Sequence, residues 1–355
     1  MEIDIIKALN RSDLVFIDVR SPGEYNEASI PGAVNIPLFS DQEYSALGAL
    51  YKWAGEAKAR REALGIVAPK LPDLVDQIVA ACGDKFPLLY CSRGGMRSFS
   101  LYQVLSLVGI QVLRLRKGYK AFRRYVNQRL AEYRLESRLF VLHGLTGVGK
   151  TAVLEVLKNK GLPVIDLEGL ARHRGSVFGA VGFDRPRSQK DFDALLLEQL
   201  DRFSGEPALV LEGEGRRIGN IYLPRFLSEA MEHGCQILLN APLEVRVKRI
   251  VETYIPAEMP DQMLEQLKNA LDSLSRRLGS EKVRRLQEML KQEEYYLVAE
   301  SLCTDYYDHY YSDSRPEHSH FDSVIDASDL DSAAGQIINL IKEAQLTLKN
   351  SKQLE

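Results

Sequence analysis

The chain has 355 residues, of which 45% are hydrophobic and 27% charged, and its formal net charge is −3. This length allows two domains with separate cores, and the composition is that of an ordinary soluble protein. Because the net charge is small, any nucleic-acid binding must come from a local basic patch. The first ten residues lack a basic region followed by an apolar one, and no apolar run is long enough to cross a bilayer. We therefore expect a cytoplasmic protein without a membrane partner.

The first 124 residues alternate short apolar segments with helical ones. We predict strands at residues 13–20 and 86–90, and a shorter strand after the turn in residues 30–37. Alternation on this scale indicates a small α/β domain with a parallel sheet. The same alternation returns after residue 138, so the predicted fold class is α/β in both halves of the chain.

The predicted strand at residues 86–90 ends at Cys91, which begins a loop with two glycines before a helix. Main-chain N–H groups of such a loop, together with the helix dipole, stabilise a thiolate, and Arg97 could stabilise that anion or an incoming one. We predict that Cys91 is a nucleophile rather than a buried structural cysteine, and that Cys91 and Arg97 are catalytic. The residues between them form the predicted anion loop: Ser92, Arg93, Gly94, Gly95 and Met96.

Residues 144–151 match the phosphate-binding pattern G-x-x-x-x-G-K-[ST]. An apolar run at residues 139–142 precedes the pattern and a helical run at 152–158 follows it, which is the order that a phosphate-binding loop requires. The glycines let several N–H groups point at one anion, and the helix start adds partial positive charge. The lysine would reach a terminal phosphate and the threonine could bind Mg²⁺. The predicted phosphate-binding residues are Gly144, Gly147, Gly149, Lys150 and Thr151.

Acidic residues follow two further predicted strands of the second half. Asp166 and Glu212 lie at the strand ends, with Glu168 and Glu214 two residues beyond each. Such carboxylates could contact a Mg²⁺ shell or a substrate group, or could only cap the following segment. Mg²⁺ is therefore a candidate ligand of these carboxylates, and the sequence assigns no metal site.

Two sets of basic residues are candidate contacts for RNA or phosphate. The dense basic stretch at residues 114–138 includes Arg123 and Arg124 and has aromatic residues between its cations. It could follow an RNA backbone or could be the solvated face of a helix that links two domains, and both readings stay open. The second set lies near glycines in the second half: His173, Arg174, Arg216 and Arg217.

The motifs of both halves resemble known families. Residues 18–25 and 30–37, together with the Cys91 loop, resemble a rhodanese domain, and the second half resembles a P-loop kinase core. Taken together, the chain from about residue 18 to about residue 326 resembles the tRNA 2-selenouridine synthases, on the motifs at 91–98, 118–123, 144–151, 166–176 and 212–219. We accordingly predict a rhodanese-like domain at 1–124, a basic linker helix at 125–137, a P-loop NTPase-like, kinase-like domain at 138–348 with a helical insertion at about 255–300, and a frayed tail at 349–355.

The resemblance implies a transferase that replaces sulfur by selenium at the 2-thiouridine of the tRNA wobble position. Geranyl diphosphate would first alkylate the sulfur, and selenium from selenophosphate would then displace the geranylthio group. On this interpretation the phosphate-binding loop holds the diphosphate, Lys150 neutralises its charge, and Cys91 receives or presents selenium. Both donors are substrates, with no tightly bound cofactor, and an enzyme that produces selenophosphate could be a partner. The basic stretch would hold the anticodon arm.

Two other interpretations remain open at the level of the sequence. A phosphate-binding loop makes the same contacts with a nucleotide as with a prenyl diphosphate, so the chain could be an ATP-dependent tRNA sulfurtransferase or a kinase-like enzyme. It could also be a phosphate-sensing RNA-binding protein with a regulatory rhodanese-like domain. The reactive pattern around Cys91 argues against the latter, because a regulatory domain does not need a stabilised thiolate.

Overall fold

The computed structural model describes residues 1–183, 185–309 and 321–352, with side chains described up to residue 346. The chain divides into two compact units. The first comprises Met1–Glu132 and Ser188–Leu197, and the second comprises Tyr133–Arg187 and Glu198–Glu355.

The first unit is built on a five-stranded sheet with the strand order β1-β5-β4-β2-β3. All of its neighbouring strands are parallel. The inner strands read as continuous apolar runs because helices cover both faces of a parallel sheet; Ile17, Leu88 and Leu89 are fully buried. The strands are β1 (Glu2–Ile3), β2 (Leu14–Asp18), β3 (Val34–Asn35), β4 (Phe86–Tyr90) and β5 (Leu113–Leu115).

Seven helices belong wholly to the described part of the first unit. Two of them start at capping boxes, in which Ser21 pairs with Glu24 and Ser40 pairs with Glu43. The helices are α1 (Ile5–Leu9), α2 (Pro22–Glu27), α3 (Asp41–Ala54), α4 (Glu56–Val67), α5 (Leu71–Cys82), α6 (Met96–Leu107) and α7 (Gly118–Ala131).

The last of these helices differs from the predicted linker at residues 125–137. Helix α7 begins at Gly118 and ends at Ala131, and it buries Phe122, Val126 and Leu130 on one face. These residues are four positions apart, so they form an apolar stripe that packs on the first unit. The basic residues of α7 occupy the remaining positions around this stripe.

The second unit also contains a five-stranded parallel sheet, in the order β12-β11-β6-β8-β7. Its strands are β6 (Arg138–His143), β7 (Val164–Ile165), β8 (Ala208–Glu212), β11 (Cys235–Asn240) and β12 (Ser323–Asp326). A two-stranded antiparallel ribbon joins β9 (Arg217–Ile218) to β10 (Ile221–Tyr222). The core around the sheet contains Leu142, Val210 and Ile237, all buried.

Helices surround this second sheet and also form a separate layer. They are α8 (Lys150–Asn159), α9 (Leu167–Ala171), α10 (Gln189–Arg202), α11 (Arg225–Glu232), α12 (Leu243–Tyr254), α13 (Asp261–Ser273), α14 (Ser275–Leu278), α15 (Ser280–Lys291), α16 (Tyr295–Leu302) and α17 (Leu330–Lys352). The first part of α10 groups with the first unit and its last part with the second. Helices α13–α16 form the helical insertion and have their own apolar cluster. The predicted fold class, two α/β parts with parallel sheets and a helical insertion, is confirmed.

No helix within the described ranges is both long enough and apolar enough to cross a membrane.

Candidate functional site

Cys91 lies directly after β4, at the carboxyl end of a central strand of the first sheet. This edge is where open parallel sheets place their binding loops. The thiol is 2% exposed, and its Sγ lies 3.3 Å from Ser98 Oγ and 3.9 Å from Gly95 O. The side chain therefore points into the loop that it begins, toward the start of α6. Ser98 was not among the predicted site residues, although it lies within the same motif.

The first residues of α7 donate hydrogen bonds to the main chain of this loop. The N–H group of Tyr119 donates to Cys91 O and that of Lys120 donates to Ser92 O, both at 2.9 Å. Gly118 has a φ of +54°, and a Cβ at this position would overlap the carbonyl oxygen of Cys91. Only glycine combines this backbone conformation with so close an approach. The motif that begins at Gly118 is thus part of the site although it lies far from Cys91 in sequence.

Arg97 contacts a carboxylate rather than the thiol. Its Nη1 lies 2.5 Å from Glu24 Oε2, and its Nη2 donates to Ser92 Oγ at 2.8 Å. Burial disfavours the ionised form of Glu24, but the hydrogen bonds from Arg97 and Ser92 outweigh it, so the pKa of Glu24 lies below its ordinary value. The Tyr44 ring stacks on the guanidinium at 4.6 Å. Sequence reasoning missed Glu24, which lies in a different motif of the chain.

The other predicted members of the anion loop differ in exposure. Arg93 and Gly95 are exposed, and Met96 is 53% exposed at the start of α6. Gly94 has a φ of +67°, and its carbonyl oxygen accepts a hydrogen bond from Arg114 at 3.4 Å. The exposed Arg93 side chain and the exposed main chain at Gly95 suit an anionic ligand.

The phosphate-binding loop connects β6 to α8, as predicted. Its three glycines have φ values of +151°, +81° and +101°, which other residues rarely adopt. Cβ atoms at Gly144 and Gly147 would lie 2.7 Å from Leu239 O and 2.6 Å from Arg246 O. Lys150 Nζ donates to Gly144 O at 3.3 Å, so the lysine bends back across the loop. Thr151 is exposed in the first turn of α8.

Two arginines of α12 hold this loop by its carbonyl oxygens. Arg246 Nε donates to Thr146 O at 2.9 Å, and Arg249 Nη1 donates to Val148 O at 2.6 Å. Arg246 is 4% exposed and is balanced by Asp308 at 2.6 Å. Sequence reasoning missed both arginines. Their spacing of three residues on a helix that follows a sheet strand was the available signal, because it places them on one face.

The predicted acids have different positions. Asp166 caps α9, since the N–H group of Gly169 donates to its Oδ1 at 2.7 Å. Of the two roles that the sequence left open for Asp166, the structure shows the helix cap. Glu212 is fully buried, and its Oε1 accepts a hydrogen bond from the N–H group of Glu168 at 2.6 Å. Its Oε2 has no partner among the described residues.

Burial controls the charge of this acidic group. The pKa of Glu168 is raised to about 8, mainly by burial and then by the charge of Glu214, against the opposing effect of Lys150. Burial also raises the pKa of Glu212 well above its ordinary value, followed by the charge of Asp166. Glu168 is thus mostly protonated near neutral pH, and burial shifts the pKa of Glu212 in the same direction. A bound cation would favour their ionised forms.

The fit of this region to Mg²⁺ is partial. The unpartnered, buried Oε2 of Glu212 and the hydroxyl of Thr151 are oxygen donors of the type that Mg²⁺ prefers. Within residues 1–183, 185–309 and 321–352, no group of three or more His, Cys, Asp or Glu side chains is arranged to hold a metal ion. Thr151 and Glu212 therefore remain the candidate ligands, and the metal remains a prediction.

Of the predicted basic residues, Arg174 lies at the phosphate-binding loop. It lines the same cavity as Lys150 and Arg249, and its guanidinium stacks on the rings of Phe183 and Tyr254 at 4.7 and 4.9 Å. The pKa of the neighbouring His173 is lowered by burial.

The other predicted basic residues lie elsewhere. Arg216 and Arg217 lie at the β9–β10 ribbon, where Arg216 pairs with Glu232 at 3.1 Å. In the first unit Arg123 pairs with Asp193 at 3.0 Å, whereas Arg124 is exposed. Of these residues, Arg124, Arg216 and Arg217 have exposed side chains that could reach a large polyanion.

Comparison with known proteins gives matches over both units. The family model for the tRNA 2-selenouridine synthase AAA domain matches residues 137–332, and that for the rhodanese-like domain matches residues 4–125. A relative from Pseudomonas syringae pv. syringae, named tRNA 2-selenouridine synthase, is 34% identical over 80% of this chain and 81% of its own length. Relatives of the same name from Hydrogenovibrio crunogenus and Nitrosomonas europaea are 35% and 32% identical, over 77% and 80% of this chain and 78% and 74% of their own lengths.

These matches extend over most of the chain and of each relative, and they include both loops described above. The resemblance of the sequence motifs is thereby confirmed: the chain belongs to the tRNA 2-selenouridine synthase family.

Proposed function

We propose that this protein is an enzyme of tRNA modification that replaces sulfur by selenium at the 2-thiouridine of the wobble position, with geranyl diphosphate and selenophosphate as its donors. The observation that carries the proposal is the Cys91 loop, in which a buried thiol between the end of β4 and the start of α6 lies 3.3 Å from a hydroxyl. A kinase has no need for such a site. Membership in the family supports tRNA as the substrate.

The first step would use the phosphate-binding loop. A thiocarbonyl sulfur is a poor leaving group, so it must be alkylated first. The bond from the sulfur to carbon 1 of the geranyl chain forms, the bond from that carbon to the diphosphate oxygen breaks, and the base releases its N3 proton. Negative charge develops on the departing diphosphate, where the loop N–H groups, Lys150, Arg174 and Arg249 can stabilise it. Mg²⁺, held by Thr151 and Glu212, would supply further charge neutralisation.

The second step would use the loop of the first unit. Selenophosphate would bind intact at the Cys91 loop, where the Cys91 side chain contacts and orients the selenium without forming a bond to it. The bond from selenium to carbon 2 of the base forms, the bond from carbon 2 to sulfur breaks, and geranylthiolate leaves. Water cleaves the phosphorus–selenium bond and releases phosphate, so neither selenium nor phosphorus changes its oxidation state.

Mass spectrometry of nucleosides tests the proposal directly. Thiolated tRNA is incubated with the protein and geranyl diphosphate, then with selenophosphate added, and separately with ATP alone. We expect a geranyl mass increment in the first reaction and an exchange of sulfur for selenium in the second. Turnover only with ATP would instead indicate a sulfurtransferase or kinase-like enzyme, and tRNA binding without any change in the nucleosides would indicate a binding protein.

A further inference from the structure

An apolar cavity in the second unit lies beside the phosphate-binding loop. Helix α12 forms one wall, and helices α13, α15 and α16 of the insertion form the others. Among the described residues, no charged side chain lines it, and its polar lining side chains are the hydroxyl groups of Thr146 and of three tyrosines. Most of the lining is aliphatic, and its buried aliphatic residues are Leu267, Leu271, Leu290, Val298, Ala299 and Leu302.

This cavity shares a wall with the phosphate site. Thr146, Ile250 and Tyr254 line both the apolar cavity and the cavity that contains Lys150 and Arg174. Thr146 lies in the phosphate-binding loop itself, and the ring of Tyr254 stacks on the guanidinium group of Arg174. A ligand whose diphosphate occupies the loop therefore has an apolar compartment next to its other end.

The lining discriminates between the two classes of phosphate ligand. A nucleotide base carries several hydrogen-bonding groups, and burying them among aliphatic side chains costs about 1–3 kcal/mol for each group left without a partner. A hydrocarbon chain gains free energy from the same burial. We propose that this cavity binds the isoprenoid chain of the diphosphate held by the phosphate-binding loop. The inference deepens the proposed function and rests on it for the identity of the head group.

The size of the cavity indicates how the chain is accommodated. Its volume is about 50 Å³, which is smaller than a ten-carbon chain. Three methionines pack against the same apolar cluster, Met259, Met263 and Met289. Unbranched methionine side chains repack at low cost, so they can move to enlarge the cavity. Leu290 and Val298 line the cavity directly, and their side-chain volumes set the length of chain that fits.

A matched pair of substitutions on α15 tests this assignment. Leu290 and Leu286 lie one turn apart, are 3% and 2% exposed and belong to the same apolar cluster, but only Leu290 lines this cavity. Leu290→Ala enlarges the cavity and is expected to raise the ratio of kcat/KM for farnesyl over geranyl diphosphate about tenfold or more. Leu286→Ala should leave this ratio at its wild-type value. Equal ratios in the two variants would overturn the inference.

A second substitution makes the cavity smaller instead of larger. It tests the assignment even if the Leu290→Ala variant does not fold. Val298→Phe fills the cavity, so KM for geranyl diphosphate should rise about tenfold or more, whereas the five-carbon dimethylallyl diphosphate is affected less. Inhibition by pyrophosphate, which has no chain, should keep its wild-type constant. Selenation of tRNA that is already geranylated should also stay at the wild-type rate. Loss of pyrophosphate binding together with geranyl binding would mean that the substitution disturbs the loop and would overturn this reading.

The failure of this inference can be told from the failure of the proposed function. If the wild-type protein transfers geranyl but Leu290→Ala and Val298→Phe both keep its chain-length preference, the cavity assignment is wrong and the proposed function stands. If the wild-type protein transfers no prenyl group, the proposed function fails, and calorimetry still tests the cavity. In that case, geranyl diphosphate binding more tightly than pyrophosphate, with the difference lost in Val298→Phe, supports the cavity, and equal affinities overturn it.

Discussion

The Cys91 loop and the phosphate-binding loop have the same backbone plan but different surroundings of charge. Each follows a buried parallel strand and ends at a helix start, so each directs N–H groups at one point. In the first unit the loop arginine, Arg97, is paired with Glu24. In the second unit Lys150 donates to a main-chain carbonyl oxygen, and the pKa of the nearby Glu168 is raised to about 8.

This difference suits two different kinds of chemistry. Around Cys91 the charge of Arg97 is balanced by Glu24, Arg93 is exposed, and the thiol contacts a neutral hydroxyl, as fits a site for a soft, polarisable atom. Around Lys150 the pKa of the Glu168 carboxyl group is raised, so this group opposes a bound diphosphate less, and Lys150, Arg174 and Arg249 line the cavity that would hold it. A shared loop geometry thus carries two chemistries, because the side chains that approach from other elements differ.

The largest expected effect separates the two loops by reaction step. Lys150→Ala should lower the rate of geranyl transfer about 10²–10³-fold, since it removes a cation from the developing charge on the diphosphate. Cys91→Ser should leave geranyl transfer at its wild-type rate and abolish selenium incorporation. Both steps are followed by mass spectrometry of nucleosides, and selenium incorporation is measured on tRNA that is already geranylated, because the second step uses the product of the first. Lys158→Ala, exposed on the same helix as Lys150, is the control and should behave like the wild type. Loss of both steps in either single variant would contradict the assignment of one reaction step to each loop.

Gly118 tests how closely the first loop is packed. Gly118→Ala should lower the free energy of unfolding by at least about 3 kcal/mol, because the added Cβ overlaps Cys91 O in addition to the strain of a left-handed conformation. Gly109→Ala has a similar positive φ but no atom within 4 Å, so it should cost only about 1–2 kcal/mol. Denaturant unfolding measures both, and similar losses would contradict the close approach seen at Gly118.

A smaller effect concerns the protonated acid beside Lys150. The pKa of Glu168 in the folded protein, about 8, lies above its ordinary value of 4.5. The folded state therefore binds the proton more tightly than the unfolded state, so stability should fall as pH rises between about 4.5 and about 8. Glu168→Gln should flatten this decline, which unfolding experiments across the range can measure. Glu155→Gln, exposed on α8, should retain the wild-type slope.

The smallest effect has the opposite sign and belongs to the first loop. The pKa of Glu24 is lowered, so its ion pair with Arg97 stabilises the fold above the ordinary pKa of 4.5 and is lost as pH falls through the folded value. Glu24→Gln should remove this loss of stability in acid, with little change in slope between pH 5 and 8. An unchanged acid limb in the variant would show that the pair does not contribute.

The sequence by itself determined the local parts of this protein. Both loops are contiguous motifs whose glycines, strand and helix follow one another, so their geometry is set by backbone conformations that a few neighbouring residues define. The parallel sheets could also be predicted, because the alternation of apolar and helical segments is visible along the sequence. The motif at Gly118 was visible too, but its role was not, because that depends on a carbonyl 27 residues away in the chain.

Only the tertiary structure decided what surrounds the loops. Glu24 meets Arg97 across 73 residues, and Arg246 and Arg249 reach the phosphate-binding loop across 100 and 101 residues. The fold also buries Glu212, encloses the apolar cavity between α12 and the insertion, and adds Ser188–Leu197 to the first unit. The burial and the charge of a side chain depend on which elements pack against it. Here those elements lie far apart in the sequence, so no local pattern of residues predicts these contacts.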